Sequence, residues 1–376
     1  MSDRLDLRTI KLLQLANELT RKCSNPAMDE AYSRIRLAIL SDGLPTNQRD
    51  LRSLEREINA IFIDVTNKYF SDMTDELYKL SALEATFAAS ITKEAIKREG
   101  LAVKISETAK QKVDRYVKGS VMHLHSKYSD FVGTYEEALS DMIDGQSKRV
   151  KAIIKGAWLQ QSNGTMPSPN SVISQVKAVS DIKGKQVAES LVRTAVNHFS
   201  TQGRLAFRDD NIDVIEREVP IVTFDSRVSD TCLSIAARFG QRGWPVGQSP
   251  VGYPPYHPNC RTAIGFLAQG QKELYGTRQA IGGQKGKVAE EEFEARKSRT
   301  DRVVKYRGKK DSGYFKAGQI PANKPVAAWL NEQPPWFIEE VLGKKKAQAF
   351  MGGDLNLAKI VDKNLKPLTL EQIGIE

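Results

Sequence analysis

Apolar residues recur at helical spacing from Leu51 through Leu54, Ile58, Ile61, Phe62 and Val65 to Tyr69, and the register runs on through Leu77, Leu80 and Phe87 towards Ile96. A stripe with this period lies on one face of a helix and on no face of a strand. A helix of that length needs other long helices to cover it, so the first hundred residues are expected to form a helical bundle core. Two shorter stripes supply partners: Leu12, Leu15, Ala16 and Leu19, then Met28, Ala31, Tyr32, Ile35, Ala38 and Ile39. Between them Asn25-Pro26 reads as a helix start, with Asn as cap and Pro at the first helical position. Gly43 and Pro45 close the second stripe. Residues 101–160 keep a helical pattern, with Val113, Tyr116, Val117, Val121 and Leu124 on one face. On such a helix His123 and His125, two apart, point to different faces and make a poor metal pair.

The segment Gln161–Asn170, rich in Ser, Asn, Gly and Pro, is a loop by composition and the best first boundary. Helical periodicity resumes at Val172, Val176, Val179 and Ile182, then at Val187, Leu191, Ala195 and Phe199. The texture changes at Glu218. Val219–Phe224 is a short β-branched run, and Pro220 places it at a sheet edge or at a strand start. Ser229-Asp-Thr caps a short helix from Cys232 to Phe239, ended by Gly240. Thr262–Leu267 is a second strand, and Trp244 is expected in the core of this small module. Residues 271–310 hold twelve Lys and Arg against six Asp and Glu, a pattern read as a flexible or partly helical linker, with a DNA-facing arm as the alternative. Helices return at Ala327–Leu330, Pro334–Leu342 and Lys344–Met351. The expected class is α+β, predominantly α-helical. The expected units are 1–165 (helical), 166–270 (central module), 271–325 (basic linker) and 326–376 (C-terminal helical element).

Composition bounds the setting. Three cysteines in 376 residues cannot staple a fold. No apolar run approaches the roughly 18 residues that span a bilayer, so no membrane partner is expected. Met1-Ser-Asp-Arg carries charges where a secretory leader needs an apolar stretch. The thiols are therefore expected to start reduced, in a cytosol. A formal charge of +10 allows an acidic partner such as nucleic acid without requiring one.

Two of the three cysteines fall in the informative segment, Phe224-Asp-Ser-Arg-Val-Ser-Asp-Thr-Cys232 followed by Tyr253-Pro-Pro-Tyr-His-Pro-Asn-Cys-Arg261. His257 and Cys260 form an H-x2-C pair on a Pro-stiffened turn, and Cys232 at a helix start favours the thiolate. These three suit zinc as a structural cofactor. The fourth position has only Asp230 or Asp225 nearby, and Ser229 stands where a C-x2-C pair would begin. Three states stay open: a zinc site, two packed thiols, or a Cys232–Cys260 disulfide formed outside the cytosol. Prolines on both sides of Tyr256-His257 favour scaffolding over a mobile catalytic base. Arg227 and Arg261 flank these residues: either Arg261 braces the turn through a bidentate pair with Asp225, or both arginines face solvent. No nucleotide-binding or hydrolase fingerprint is present.

The ordered set Asp225-Ser-Arg227, Cys232, Pro254-Pro255 and His257-Pro-Asn259-Cys-Arg261 resembles the signature of the phage Mu F-like head morphogenesis family. Upstream, Arg193-Thr-Ala-Val-Asn197, Thr201 and Arg204 resemble the helix before that signature. Downstream, Trp329-Leu-Asn-Glu-Gln-Pro, Val341-Leu-Gly343, Gly353-Asp-Leu-Asn-Leu and Leu368-Thr-Leu resemble its C-terminal element. The resemblance covers residues 180–270 and 325–376. Ser229 departs from the C-x2-C of many members. The resemblance implies a minor capsid protein at the portal vertex inside the virion head, made in the host cytoplasm. It implies the portal protein as partner, with packaged double-stranded DNA and major capsid or scaffold protein as further contacts, and a role in head assembly or DNA ejection. It implies no catalytic residues. The rival readings are a metal-dependent phage nuclease and a cytosolic DNA-binding regulator.

Overall fold

The computed structural model describes residues 4–125, 130–165, 167–285, 303–305 and 313–375. The stripe that opens the sequence becomes one 52-residue helix, α3 (Gln48–Glu99), about 78 Å long at 1.5 Å per residue. Asn47 caps it by accepting from the Arg49 and Asp50 amides, and Gly100 ends it in the left-handed region. Around α3 pack α2 (Asn25–Asp42), α4 (Lys110–Val117), α5 (Tyr135–Ser162) and α7 (Lys185–Asp210), with α6 (Pro169–Ala178) lying against α2 and α5, and α1 (Arg4–Leu19) lying against α7 and reaching α3 through the Arg8–Glu84 pair. The closest approach is between α3 and α7. A Cβ on Gly203 would sit 2.0 Å from the Ser81 carbonyl oxygen, so only glycine lets the two backbones meet there.

Asn25-Pro26 does not start a helix. Chain direction continues from α1 into α2 through a π-helical turn, Thr20–Ser24, and Asn25 is itself helical with no side-chain cap. Pro26 has no N–H for the usual i→i−4 bond. The ladder widens just before it, with the Asn25 amide bonded to the Thr20 carbonyl. The helical expectation for 101–160 is also corrected. Residues 101–109 are irregular, and β1 (Met122–Leu124) and β2 (Phe131–Gly133) form a hairpin. His123 is therefore on a strand and His125 just past it.

The loop expected near 161–170 is present, but it does not separate two cores. One hydrophobic cluster runs from Ala16 through α3 to Val196, Phe207 and Phe266, so residues on both sides of 165 share an interior. Within it lies a buried imidazole. Burial pushes His198 down to about 4, and its Nε2 sits 2.7 Å from Ser120 Oγ. Its neutral form is the one that folds, so the unfolded chain binds the extra proton between about pH 6.5 and pH 4. Stability should therefore fall as pH drops through that window, by about 2 kcal/mol between pH 7 and pH 5. Urea unfolding across that range checks this, and His198→Gln should flatten the slope.

The module that follows holds three strands in the order β4 (Trp244–Pro245), β3 (Ile215–Ile221), β5 (Ala263–Ala268), all antiparallel. Pro220 is inside β3 rather than at its start. It is tolerated because β4 pairs only with Arg217 and Glu218, leaving β5 as the sole neighbour at that level. α8 (Asp230–Phe239) forms as expected, with Ser229 Oγ accepting from the Cys232 amide. Trp244 is buried, and its indole N–H donates to Glu218 Oε2 at 2.6 Å.

The expectation of a linker at 271–325 fails in the described part. β6 (Thr277–Lys285) and β8 (Gly313–Pro321) pair antiparallel over nine residues, and β7 (Val303–Lys305) adds to β8. Gly, Lys and Gln mask this ribbon in the sequence, because little of it is apolar. The bulk of the proposed DNA-facing arm, 286–302 and 306–312, lies outside the described residues. The C-terminal element follows as α9 (Val326–Asn331), α10 (Pro335–Leu342), α11 (Lys344–Gly352), a 3-10 turn (Leu357–Lys359) and α12 (Leu370–Ile373). Its apolar side joins α8, Phe224, Tyr256, Cys232 and Cys260 in a second core.

Candidate metal centre

Cys232, His257 and Cys260 converge, their ligand atoms all within 4.8 Å of one another. Cys232 sits at the first turn of α8. His257 and Cys260 come from the loop after the cis Pro254-Pro255 peptide, on either side of Pro258 and Asn259. Asn259 takes φ 60°, a left-handed conformation that Asn tolerates, and the chain turns back there.

Helix α7 holds this loop through a polar stripe. The Asn259 amide donates to Thr194 Oγ1 at 3.0 Å and its side chain to Ser190 Oγ at 2.8 Å. Asn197 Nδ2 donates to the carbonyls of Cys260 at 2.6 Å and Thr262 at 3.1 Å. Arg204 Nη1 donates to the Ile264 carbonyl. Ser190, Thr194, Asn197, Thr201 and Arg204 are spaced four, three, four and three apart. That repeat puts them on one face of α7. The resemblance singled out Arg193–Asn197, Thr201 and Arg204, but an apolar-stripe reading passes over Ser190 and gives none of them a role.

The donor set fits three corners of a tetrahedron. Cys232 Sγ and Cys260 Sγ are 3.9 Å apart, against about 3.8 Å for two thiolates each 2.3 Å from one zinc. His257 Nε2 is 3.1 Å from Cys232 Sγ, so a bound ion would open that pair by about 0.4 Å. His257 Nδ1 lies 2.8 Å from the Pro258 carbonyl oxygen. That bond puts the ring proton on Nδ1 and presents Nε2 to the thiols, the usual orientation of a ligating imidazole. These three residues can hold a metal ion.

Burial pushes the Cys260 thiol up, but the Cys232 thiol bonded to it and the His257 charge override this, and it lies well below its ordinary value. The bond to Cys260, with burial, raises Cys232 well above its own. Burial lowers His257, and the Cys260 charge more than offsets this, so the imidazole is raised. All three cysteines are free thiols, and the 3.9 Å separation is well beyond the roughly 2.05 Å of a disulfide.

The fourth-ligand expectation is corrected. Asp230 points away from the cluster and pairs with Lys346 Nζ at 2.7 Å. Asp225 is committed elsewhere: both its oxygens accept from Arg261, Nη2 to Oδ1 at 2.7 Å and Nη1 to Oδ2, the bidentate brace that the sequence offered as one alternative. Asp225 Oδ1 also accepts from the Arg227 amide, whereas the Arg227 side chain is exposed. Pro255 is buried beneath the loop. The oxygens that do reach the cluster are hydroxyls: Ser229 Oγ, 2.8 Å from His257 Nε2, and Thr262 Oγ1, 3.2 Å from Cys232 Sγ.

The C-terminal element seals the cluster's far side. Thr231 Oγ1 donates to the Leu365 carbonyl and Ser234 Oγ to the Ala358 carbonyl. Beside Cys232 and His257 is a cavity of about 20 Å³. That volume holds one water or an ion and is far below the roughly 300–1,000 Å³ of ligand pockets. Compared with family models, with curated proteins and with solved structures, the chain finds no match.

Proposed function

We propose that this chain is a minor head protein of a tailed phage, a structural component that docks at the portal vertex and serves head assembly, and that its Cys/His cluster is a zinc-held brace. The observation that carries the reading is the burial of the two signature thiols. Cys232 and Cys260 are 3% and 2% exposed, and the adjoining cavity has no room for a phosphodiester. Asp225, Asn259, Cys260 and Arg261 are engaged in holding the loop on α7 and bracing its turn. Such a knot suits a rigid assembly part better than an enzyme. Zinc fits the cluster because soft thiolates and an imidazole suit it, with a hydroxyl or a water at the fourth corner.

Quantitative mass spectrometry of purified particles from the phage encoding this chain tests the function. A few to about a dozen copies per portal ring, retained through a high-salt wash, is the expected result. Absence from particles, with abundant protein in the infected cell, would overturn it and favour the nuclease or regulator. Metal analysis of the purified chain tests the brace separately. Close to one equivalent of zinc is expected, and under about a tenth of an equivalent with the fold intact after chelation would remove the metal.

A further inference from the structure

A concentration of cations without carboxylate partners among the described residues lies outside the basic segment singled out by sequence. It is a trough of about 660 Å³ between the start of α3 and the middle of α5, lined by Arg49, Arg52, Arg56 and Lys151, with Gln48, Asn59 and a single carboxylate, Glu55. Arg49, Arg52 and Arg56 fall at i, i+3 and i+7, so they lie along one face of α3. Lys151 reaches across from α5, its Nζ 2.9 Å from Asn59 Oδ1. Lys148 and Lys155, both exposed, continue the α5 stripe one turn to either side.

Folding does not explain this arrangement. None of the three arginines has a carboxylate within salt-bridge distance among the described residues. Like charges one turn apart repel, and the opening turns of a helix disfavour cations. Their side chains are exposed, so they cover no core. A stripe that the fold disfavours, facing a second cationic stripe across a trough, fits a polyanion. Along α3 the arginines span roughly 10 Å, about three steps of a DNA strand at 3.4 Å per nucleotide.

We infer that this trough binds the phosphate backbone of double-stranded DNA without regard to sequence. The choice of DNA as the polyanion rests on the head-protein reading. The cations form point contacts to successive phosphates, and nothing in the lining is placed to read a base edge. Four such contacts would give log K a salt slope of about −3.6.

The test is fluorescence anisotropy of the full chain with a random-sequence duplex, from about 50 to about 200 mM salt. The variants are Arg49→Gln/Arg52→Gln/Arg56→Gln and, as a charge control on another face, Lys344→Gln/Lys345→Gln. All these side chains are exposed, and circular dichroism confirms the fold. The arginine variant should flatten the slope by about 2 to 3 and weaken binding at least about tenfold at mid-range salt, while the lysine variant should change little. Equal losses in both variants, an unchanged slope in the arginine variant, or no binding by the parent chain would overturn the proposal. Particle copy number of the arginine variant separates the two readings: normal incorporation with lost DNA affinity leaves the portal role standing, and normal DNA binding with no incorporation removes only that role.

Discussion

Glu218→Ala should lower the unfolding free energy by about 3–5 kcal/mol, the cost of leaving two buried donors without an acceptor and weakening a buried ion pair. Glu218 is fully buried on β3. Its Oε1 accepts from Arg208 Nη1 at 2.7 Å, and its Oε2 accepts from the Trp244 indole at 2.6 Å and the Tyr253 hydroxyl at 2.9 Å. Arg208 is also held by Tyr253 and Tyr116. Removing the carboxylate leaves the Trp244 and Tyr253 donors without their acceptor and takes one of two carboxylates from Arg208, whose Nε still donates to Asp209 Oδ1 at 2.6 Å. The backbone there is equally constrained: Gly243 has φ +59°, and a Cβ on it would lie 1.7 Å from the Glu218 carbonyl oxygen. Urea unfolding followed by tryptophan fluorescence reads the loss, and Glu218→Gln, which keeps the shape and one acceptor, should cost less. A loss under about 1 kcal/mol in the alanine variant would mean that water enters and replaces the carboxylate.

Trp329→Ala should cost a similar amount, about 3–5 kcal/mol, but with a local readout. Trp329 is 2% exposed, its ring 5.1 Å from Phe224 and 5.8 Å from Phe337. It is the largest side chain joining the C-terminal element to the core that contains Cys232 and Cys260. Loosening that element should open the cluster before the helical bundle unfolds. In metal-free native protein, thiol labelling should go from no fast-reacting cysteine to two, Cys232 and Cys260, while Cys23 stays protected in the bundle. Labelling of all three together would mean that the two cores unfold as one.

Much of this architecture was legible because it is written in periodicity. The α3 stripe, the Ser229 cap of α8, the strand after Thr262 and the helix at Trp329 each follow from local pattern and turn chemistry. The Arg261–Asp225 brace was half legible: the sequence offered the pair, with solvent-facing arginines as the alternative, and only the fold decides that Arg261 pairs while Arg227 is exposed. What stayed hidden depends on neighbours distant in sequence. Asp230 looked like a ligand by proximity along the chain, yet Lys346 claims it across the fold. β6 and β8 carry few apolar residues, so a paired ribbon read as a linker. The boundary near residue 165 is a true loop, but no local signal reveals that α7 returns to pack on α3.

The seal over the metal centre sets an order of events during synthesis. Cys232 and Cys260 leave the ribosome about a hundred residues before the carbonyl of Leu365 that closes over α8. At roughly 5–20 residues per second, the cluster spends on the order of 5 to 20 s uncovered. An ion that arrives in that interval meets a cluster open on both sides, and after the tail docks only the small cavity beside Cys232 and His257, rimmed by the exposed Arg227 and Asn259, leads to it. Loading of an ion would thereby be fastest while the chain is still being made, before its C-terminal element has docked.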